Sequence, residues 1–183
     1  MELKVIWTII HLFGVALGAG GAYVSDGMFF QSIKDKMLTQ TEIGFMQLGS
    51  RITWLGLGLL LVSGIGLFLT DPASYSQSSK FQIKMLIVLV LTINGIYFHL
   101  SHIPFLKERQ NKKFSELPKL VEKRTKLIFS GVVSVASWSL AIALGALRSI
   151  PFTFIQALIT YVIIITFGCL VAYVMRNKFI PLK

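Results

Sequence analysis

The chain has 183 residues, of which 54% are hydrophobic and 14% are charged, a composition too apolar for an ordinary soluble domain. A net charge of +10 can indicate nucleic-acid binding, but the basic residues cluster between long apolar runs, so membrane topology explains them more simply and no nucleic acid is expected. The single cysteine, Cys169, lies inside an apolar run, which excludes a disulfide framework or a cysteine-based metal motif.

Five apolar runs are long enough to cross a hydrocarbon core about 30 Å thick, which takes about 20 helical residues. They cover approximately residues 5–30, 52–70, 81–103, 126–147 and 152–175. The longest polar stretch, from about 104 to 125, is a charged loop that is too short for a second domain. The sequence therefore predicts an all-α, polytopic transmembrane bundle of about five spans, in a single membrane domain over residues 1–183.

Length identifies the first span, and helix-boundary signals mark the next two. The first span exceeds the roughly 7–15 apolar residues of a signal peptide, so it is interpreted as a transmembrane helix. The pair Asp71-Pro72 predicts the end of the second span. The third span opens with a capping-box pattern, Ser79 with Gln82, and ends before Pro104.

Prolines mark the starts of the last two helices. Pro118 is expected to begin a helix that continues into the fourth span, and a turn at Ser149-Ile150-Pro151 separates the last two spans. Proline is tolerated in the first turn of a helix, where its missing N–H costs no hydrogen bond. Pro151 is therefore placed in the first turn of the fifth span.

Lysine and arginine are distributed unevenly between the two ends of the spans. One end carries Lys34, Lys36 and Arg51, eight basic residues from Lys107 to Lys126, and Arg176, Lys178 and Lys183. The other end carries Lys4, Lys80 and Arg148, besides Lys84 inside the third span. Cytoplasmic segments are enriched in Lys and Arg, so the sequence predicts a multi-pass plasma-membrane protein with its N-terminus outside and its C-terminus in the cytoplasm.

Ionisable side chains inside a span are costly and usually functional. The candidates are His11, Asp26, Lys84, His99 and His102. At about 1.5 Å per residue, His11 and Lys84 lie about 9 Å and 5 Å from the outer ends of their helices, so they can meet. His99 and His102 lie about 27–32 Å beyond the start of the third helix, so His11 and His99 are too far apart to ligate one iron.

Small residues accompany His11. At about 100° per residue, His11, Gly14, Gly18 and Ser25 form one stripe on the first helix, which favours close helix contact or a flat cofactor in a groove. A b-type haem needs an axial imidazole and an apolar slot. His11 is therefore a candidate haem and metal ligand, with Gly14 and Gly18 along the groove and Lys84, water or nothing as the second ligand.

A second group of candidates lies near the cytoplasmic side. His99 and His102 approach the depth of Met28 and Asp26, and histidine and methionine suit copper, so these residues predict an inner metal or proton site. Asp26 lies near the predicted end of the first helix, where a carboxylate opposes the helix dipole and needs a cationic partner. The candidate partners are Lys34, Arg51 and the histidines of the third helix.

Each candidate also has a structural interpretation. His11 is compatible with a hydrogen bond to a neighbouring helix, Lys84 with snorkelling into water, and His102 with a wet interface. Serines of the fourth span and glycines of the second fit packing ridges better than a site. These residues are Ser130, Ser134 and Ser137, and Gly56, Gly58, Gly64 and Gly66.

Three short motifs resemble a known family. They are Ile10-His11-Leu12-Phe13-Gly14 in the first helix, Arg51 at the head of the glycine-bearing second helix, and Phe81-Gln82-Ile83-Lys84-Met85-Leu86 at the start of the third. Over residues 5–148 the chain resembles the HemJ-type protoporphyrinogen oxidases and the related CopD-like membrane proteins. The resemblance implies a bound haem b, with His11 and Lys84 as the functional pair.

Two functional hypotheses follow, beside a structural or partner-binding role without catalysis. The first is a haem b redox protein in which His11 is the axial ligand and Lys84 is the catalytic proton donor or a haem-propionate partner, served by a membrane or soluble electron donor. The second is a CopD-like transporter of copper or protons that uses the inner His/Met/Asp site. The lipid bilayer is the expected environment, and small-residue faces on several helices also permit a homo-oligomer.

Overall fold

The computed structural model describes residues 2–35, 39–108 and 118–179, and within these ranges the chain is helical and contains no strand. The helices are α1 (Glu2–Asp35), α2 (Gln40–Thr70), α3 (Pro72–Gln77), α4 (Ser79–Tyr97), α5 (Ile103–Lys107), α6 (Pro118–Ala146) and α7 (Phe154–Phe179), and a π-helical turn over Phe98–His102 joins α4 to α5. Of the basic residues that predict the orientation, Lys36, Arg109, Lys112, Lys113 and Lys183 lie outside the described ranges.

Five segments are long and apolar enough to cross a membrane. They are Glu2–Ser32, Gln40–Thr70, Ser79–Lys107, Thr125–Ala146 and Phe154–Arg176. They confirm the predicted all-α bundle and make the chain a multi-pass membrane protein.

The polarity of the bundle is that of a protein dissolved in lipid. Large apolar side chains point outward, such as Phe13, which is 63% exposed, and Val174, which is 73% exposed. Small hydroxyl side chains are buried instead, and Ser63 and Ser137 have no exposed surface. In a bilayer, helices gain nothing by hiding leucine from lipid, so packing and hydrogen bonds decide what lies inside.

Helix α1 packs antiparallel to α2 along most of its length, and glycines form the contact. A Cβ atom at Gly14 would lie 3.0 Å from the carbonyl oxygen of Gly56, and one at Gly49 would lie 2.7 Å from the carbonyl oxygen of Gly21. Only glycine lets two backbones approach this closely. The prediction that the second-span glycines serve packing is thus confirmed for Gly56 and for Gly66, where an added Cβ would overlap the ring of Trp7, whereas Gly58 and Gly64 face open space.

The caps of the third span differ from the predicted pattern. Ser78, rather than Ser79, is the N-cap residue of α4, and its side chain accepts a hydrogen bond from the Phe81 N–H. Gln82 does not close a capping box, because its side chain donates to the carbonyl oxygen of Ser76. The prediction was wrong by one residue because either serine can precede the same apolar run.

The third span does not end before Pro104 but continues as a helix to Lys107. A proline inside a helix has no N–H and its ring collides with the carbonyl four residues earlier. The wider π-helical turn over Phe98–His102 lies immediately before it, where it relieves this crowding.

The start of the fifth helix differs from the prediction. Helix α6 is described from Pro118 onward, and the residues before it lie outside the described ranges, so its predicted start stays a prediction. Helix α7 begins at Phe154, so Pro151 lies in the preceding turn and not in the helix. The cap is a reciprocal pair in which the Gln156 N–H donates to the Thr153 hydroxyl and the Thr153 N–H donates to the Gln156 side chain.

Candidate functional site

A small cavity lies between α1, α2, α4 and α6. Its volume is about 50 Å³. One water molecule needs roughly 10–15 Å³ of cavity volume, so the cavity can hold a few water molecules. Polar side chains inside a bilayer are costly and mark functional sites by default. The polar side chains on the cavity wall are Ser25, Asp26, Ser50, Thr53, Asn94, Ser130 and Ser134.

Asp26 is the one carboxyl group among the residues that line this cavity. Helix α1 continues past it to Asp35, so the expectation that Asp26 lies at a helix end and needs a cation against the dipole is wrong. Its carboxyl group accepts a hydrogen bond from the side chain of Ser134 on α6. The other oxygen, Oδ2, is buried and has no hydrogen-bond partner among the described residues. An unpartnered carboxyl oxygen at this depth is costly and calls for a functional explanation.

Three hydroxyl groups of the wall donate hydrogen bonds to neighbouring oxygens of the helices, besides Ser134, which donates to Asp26. The bonds run from Ser25 to the Met46 carbonyl (3.3 Å), from Thr53 to the Gly49 carbonyl (2.9 Å) and from Ser130 to Oδ1 of Asn94 (2.9 Å). A hydroxyl that has donated its proton still has lone pairs with which to accept.

Two apolar clusters flank the cavity along the bundle axis. The first cluster consists of Phe29, Ile43, Met46, Phe105, Leu106 and Leu127. The second includes Ala22, Leu57, Leu60, Leu91 and Trp138. Along α1, Ala22 precedes Asp26 and Phe29 follows it, while along α6, Leu127 and Trp138 flank the two serines. Asp26 therefore lies in a polar layer between two apolar layers.

His99 connects this layer with the outside of the bundle. Its side chain is exposed, and its Nδ1 atom lies 3.5 Å from the Ser50 hydroxyl oxygen. Because Ser50 also lines the cavity, it is positioned to bridge the imidazole and the cavity.

His102 and Met28 lie away from the cavity wall. The prediction of a wet interface at His102 is wrong, because the residue is only 2% exposed. The rings of Tyr97 and Phe98 pack against it at 4.7 and 5.7 Å, and its Nε2 atom has no hydrogen-bond partner among the described residues. Met28 packs against the first apolar cluster. Within the described ranges, no three His, Cys, Asp or Glu side chains are grouped to hold a metal ion.

His11 is held by a side chain of α2. Its Nδ1 atom lies 3.0 Å from the hydroxyl oxygen of Ser63, and that hydroxyl is itself 2.6 Å from the carbonyl oxygen of Leu59, to which it donates. The hydroxyl oxygen then accepts a hydrogen bond from Nδ1–H, which leaves Nε2 with a free lone pair. This is the tautomer that a metal-ligating histidine uses.

Lys84 lies near the C-terminal end of α6. The ammonium group of Lys84 lies 3.8 Å from the position that a Cβ atom of Gly145 would occupy. Lys80 donates a hydrogen bond to the carbonyl of Leu147 at the same helix end. Cations stabilise helix C-termini, so Lys84 has a structural role at this position as well.

Gly14 and Gly18 do not form an open groove. A Cβ atom at Gly14 would lie 2.9 Å from the backbone nitrogen of Leu60, and one at Gly18 would overlap the ring of Trp138. The small residues beside His11 thus serve close packing, which was one of the two predicted uses. A flat macrocycle does not fit into this stripe, although the Nε2 atom of His11 is suitable as a ligand.

Several residues of the cavity are not among the candidates that the sequence predicts. The sequence assigns Ser130 and Ser134 to a packing ridge, and it does not mark Asn94 as a site residue, although amides are rare in spans. In the structure Ser130 bonds Asn94, and Ser134 bonds Asp26. The sequence feature that indicates this cavity is the presence of one carboxyl group, one amide and a serine repeat in otherwise apolar helices.

Comparisons of this chain with protein-family models, with curated proteins and with solved structures found no match. Its class is accordingly defined by its own fold and site: a multi-pass membrane protein with a buried, carboxyl-bearing polar cavity between apolar layers.

Proposed function

We propose that this protein moves protons or a small cation through a membrane, with Asp26 as the ionisable group. The observation that carries the proposal is the buried Oδ2 atom of Asp26, which has no hydrogen-bond partner among the described residues and lies in a cavity of polar side chains. Intramembrane carboxyl groups that face a bundle interior mark ion and proton pathways. A carboxyl group can bind a proton or a cation there and release it when the environment changes.

The apolar layers on both sides of the cavity favour transport across the membrane over ion binding alone. They separate Asp26 from both ends of the bundle, so exchange with one side of the membrane does not open the other. The contact between His99 and Ser50 offers a route for protons from the surface of the bundle to the cavity. The polar layer is built of hard oxygen ligands, which favours protons or alkali ions over copper.

For the orientation we propose that the basic connections are cytoplasmic and that the membrane is the plasma membrane. Arg51 and the segment that precedes Leu127 lie toward that side, together with the apolar cluster that contains Phe29. The cavity then lies in the cytoplasmic half of the bundle, with His11 and Lys84 toward the outside.

Infrared difference spectroscopy on the reconstituted protein tests the proposal at its central group. A carboxyl band should respond to the pH or cation content of the bulk solution and should be missing in Asp26→Asn. The matched control is Glu2→Gln, an exposed acid at the start of α1, which should leave the band unchanged. If the band of Asp26 stays constant under every solution condition, Asp26 does not exchange with the solvent and the proposal fails.

Ion flux gives the second arm of the test. Liposomes that contain the protein and a pH- or cation-sensitive dye should respond to an imposed gradient faster than empty liposomes. Asp26→Asn should abolish the response, and Glu2→Gln should retain it. Equal flux in Asp26→Asn and the unchanged protein would contradict the role of Asp26.

Haem b binding is a second candidate function, favoured by the tautomer that Ser63 imposes on His11. His11 would supply Nε2 as the axial ligand, and the bound haem would supply one-electron redox chemistry. The packing of Gly14 and Gly18 counts against the predicted groove. The optical spectrum of the purified protein and a pyridine haemochrome assay decide this candidate, because a haem protein shows Soret absorption that His11→Ala removes or shifts.

A further inference from the structure

We infer that the cavity beside Asp26 binds a single Na⁺ ion through oxygen ligands from α1, α2, α4 and α6. The inference rests on the proposed function and specifies the substrate of the same site. Three features of the cavity carry it: the hydrogen bonds of its wall, its formal charge and its size.

The hydrogen bonds of the wall use its hydroxyl protons and leave oxygen lone pairs. Ser25 and Thr53 donate to backbone carbonyls of α2, Ser130 donates to Asn94, and Ser134 donates to Asp26. The Asn94 amide also donates, from Nδ2 to the Ser130 carbonyl at 3.1 Å. A cavity wall whose hydroxyl protons are already donated, and which carries a carboxyl group, attracts a cation rather than an anion.

The formal charge selects a monovalent ion. Asp26 is the one acidic side chain on the cavity wall, and the other polar residues there are neutral amides and hydroxyls. One carboxylate balances one positive charge, whereas a divalent ion would leave a net charge in the membrane interior. Divalent sites in proteins also recruit more carboxylates than this cavity offers.

The size of the cavity favours a small ion. Its volume is about 50 Å³, which holds a few water molecules and is smaller than an ion with a full shell of waters requires. Wall oxygens must therefore replace part of the water shell, and hydroxyl and carboxylate oxygens are the ligand type that hard cations prefer.

Binding is measured on the full-length protein in detergent, by thermal unfolding in NaCl, KCl and choline chloride at equal ionic strength. A ligand that binds only the folded state raises the unfolding midpoint saturably with its concentration. We expect such a rise with NaCl and little or none with KCl or choline chloride. Direct binding of radioactive sodium gives an independent measure of the stoichiometry, expected to be one ion per chain.

Two variants and two controls localise the effect. Asp26→Asn should abolish the sodium-dependent rise, and Thr53→Val should weaken sodium binding at least several-fold while preserving side-chain shape. Glu2→Gln controls for the loss of an acid. Thr92→Val controls for the loss of a threonine hydroxyl, because Thr92 lies away from the cavity wall and bonds the Val88 carbonyl of its own helix.

The outcomes separate this inference from the proposed function. A sodium-specific rise that is lost in Asp26→Asn and retained in both controls supports the sodium site. An infrared band of Asp26 that responds to pH but not to sodium, with no sodium-dependent rise in the midpoint, overturns the sodium site and leaves a proton-handling role intact. A sodium-dependent rise that persists in Asp26→Asn places the ion elsewhere and also overturns the inference.

Discussion

Asn94 and Ser130 clamp the third span to α6 through two reciprocal hydrogen bonds. The Asn94 amide donates to the Ser130 carbonyl at 3.1 Å, and the Ser130 hydroxyl donates to Oδ1 of Asn94 at 2.9 Å. Both side chains also line the cavity that contains Asp26. The same pair therefore joins two helices and shapes the candidate site.

This clamp predicts a measurable coupling free energy. In a double-mutant cycle with Asn94→Ala and Ser130→Ala, we expect the two side chains to couple by about 0.6–1.7 kcal/mol, the range for hydrogen bonds between membrane helices. The free energy of unfolding is measured by denaturant titration in detergent micelles. Thr92→Val is the control and should not couple with Ser130→Ala, since Thr92 bonds its own helix. Additive effects of the first two substitutions would contradict the clamp.

Gly21 and its neighbour Gly20 should respond very differently to alanine. A Cβ atom at Gly21 would lie 2.6 Å from the Gly49 carbonyl oxygen and 2.8 Å from the Thr53 backbone nitrogen, whereas one at Gly20 meets nothing within 4 Å. Backbone atoms cannot move aside as a flexible side chain can, so α1 and α2 must separate. We expect Gly21→Ala to lower the free energy of unfolding by about 1–3 kcal/mol.

Gly20→Ala is the matched control in the same turn of α1. It should change the free energy of unfolding by no more than about 0.5 kcal/mol, as substitutions without new contacts do. Thermal unfolding of both variants in the same detergent provides the comparison. Equal destabilisation by both would show that α1 and α2 do not pack through Gly21.

Ser63 is expected to set the proton position on His11. In the unchanged protein, ¹⁵N chemical shifts of the imidazole should show a protonated Nδ1 and an unprotonated Nε2, because the Ser63 hydroxyl donates to Leu59 and accepts from His11. Ser63→Ala removes the acceptor and should produce a mixture of the two tautomers. His11→Gln assigns the signals. A protonated Nε2 in the unchanged protein would remove the observation that favours His11 as a haem ligand.

The topology can be checked with fused reporters. A reporter active only in the cytoplasm should be active when fused after Lys183, and a reporter active only outside should be active when inserted between Asp71 and Ser79. The reason is the excess of lysine and arginine on the connections at the opposite end of the bundle. The reverse result would place Asp26 in the outer half of the membrane and would invert the proposed direction of access from His99.

Membrane insertion and the number of spans follow from the sequence because they depend on local sums. Each span is one continuous apolar segment. Its free energy of transfer from water to lipid depends on its own residues and not on distant ones. The exact ends of the helices depend on more than the local sequence. The N-cap residue of α4 is Ser78 and not the predicted Ser79. The third span continues past Pro104 because the π-helical turn before it relieves the crowding by the proline ring.

A constant rise per residue predicts relative positions along the helices. It predicts His11 and Lys84 at one level, and this stays a prediction. It also predicts Asp26 and His99 near one depth, and in the structure Asp26 lines the cavity while His99 contacts Ser50, which lines the same cavity.

Only the tertiary structure decided which side chains meet at that depth. The sequence determined the residue types and the rise along each helix, but the rotation of each helix about its axis depends on packing against the others. Asp26, Asn94 and Ser134 are far apart in the chain and come together because glycines draw α1 against α2 and Asn94 joins α4 to α6. The same serine repeat fits a packing ridge or a polar cavity wall. Only the carboxyl group that the tertiary structure places beside it distinguishes the two.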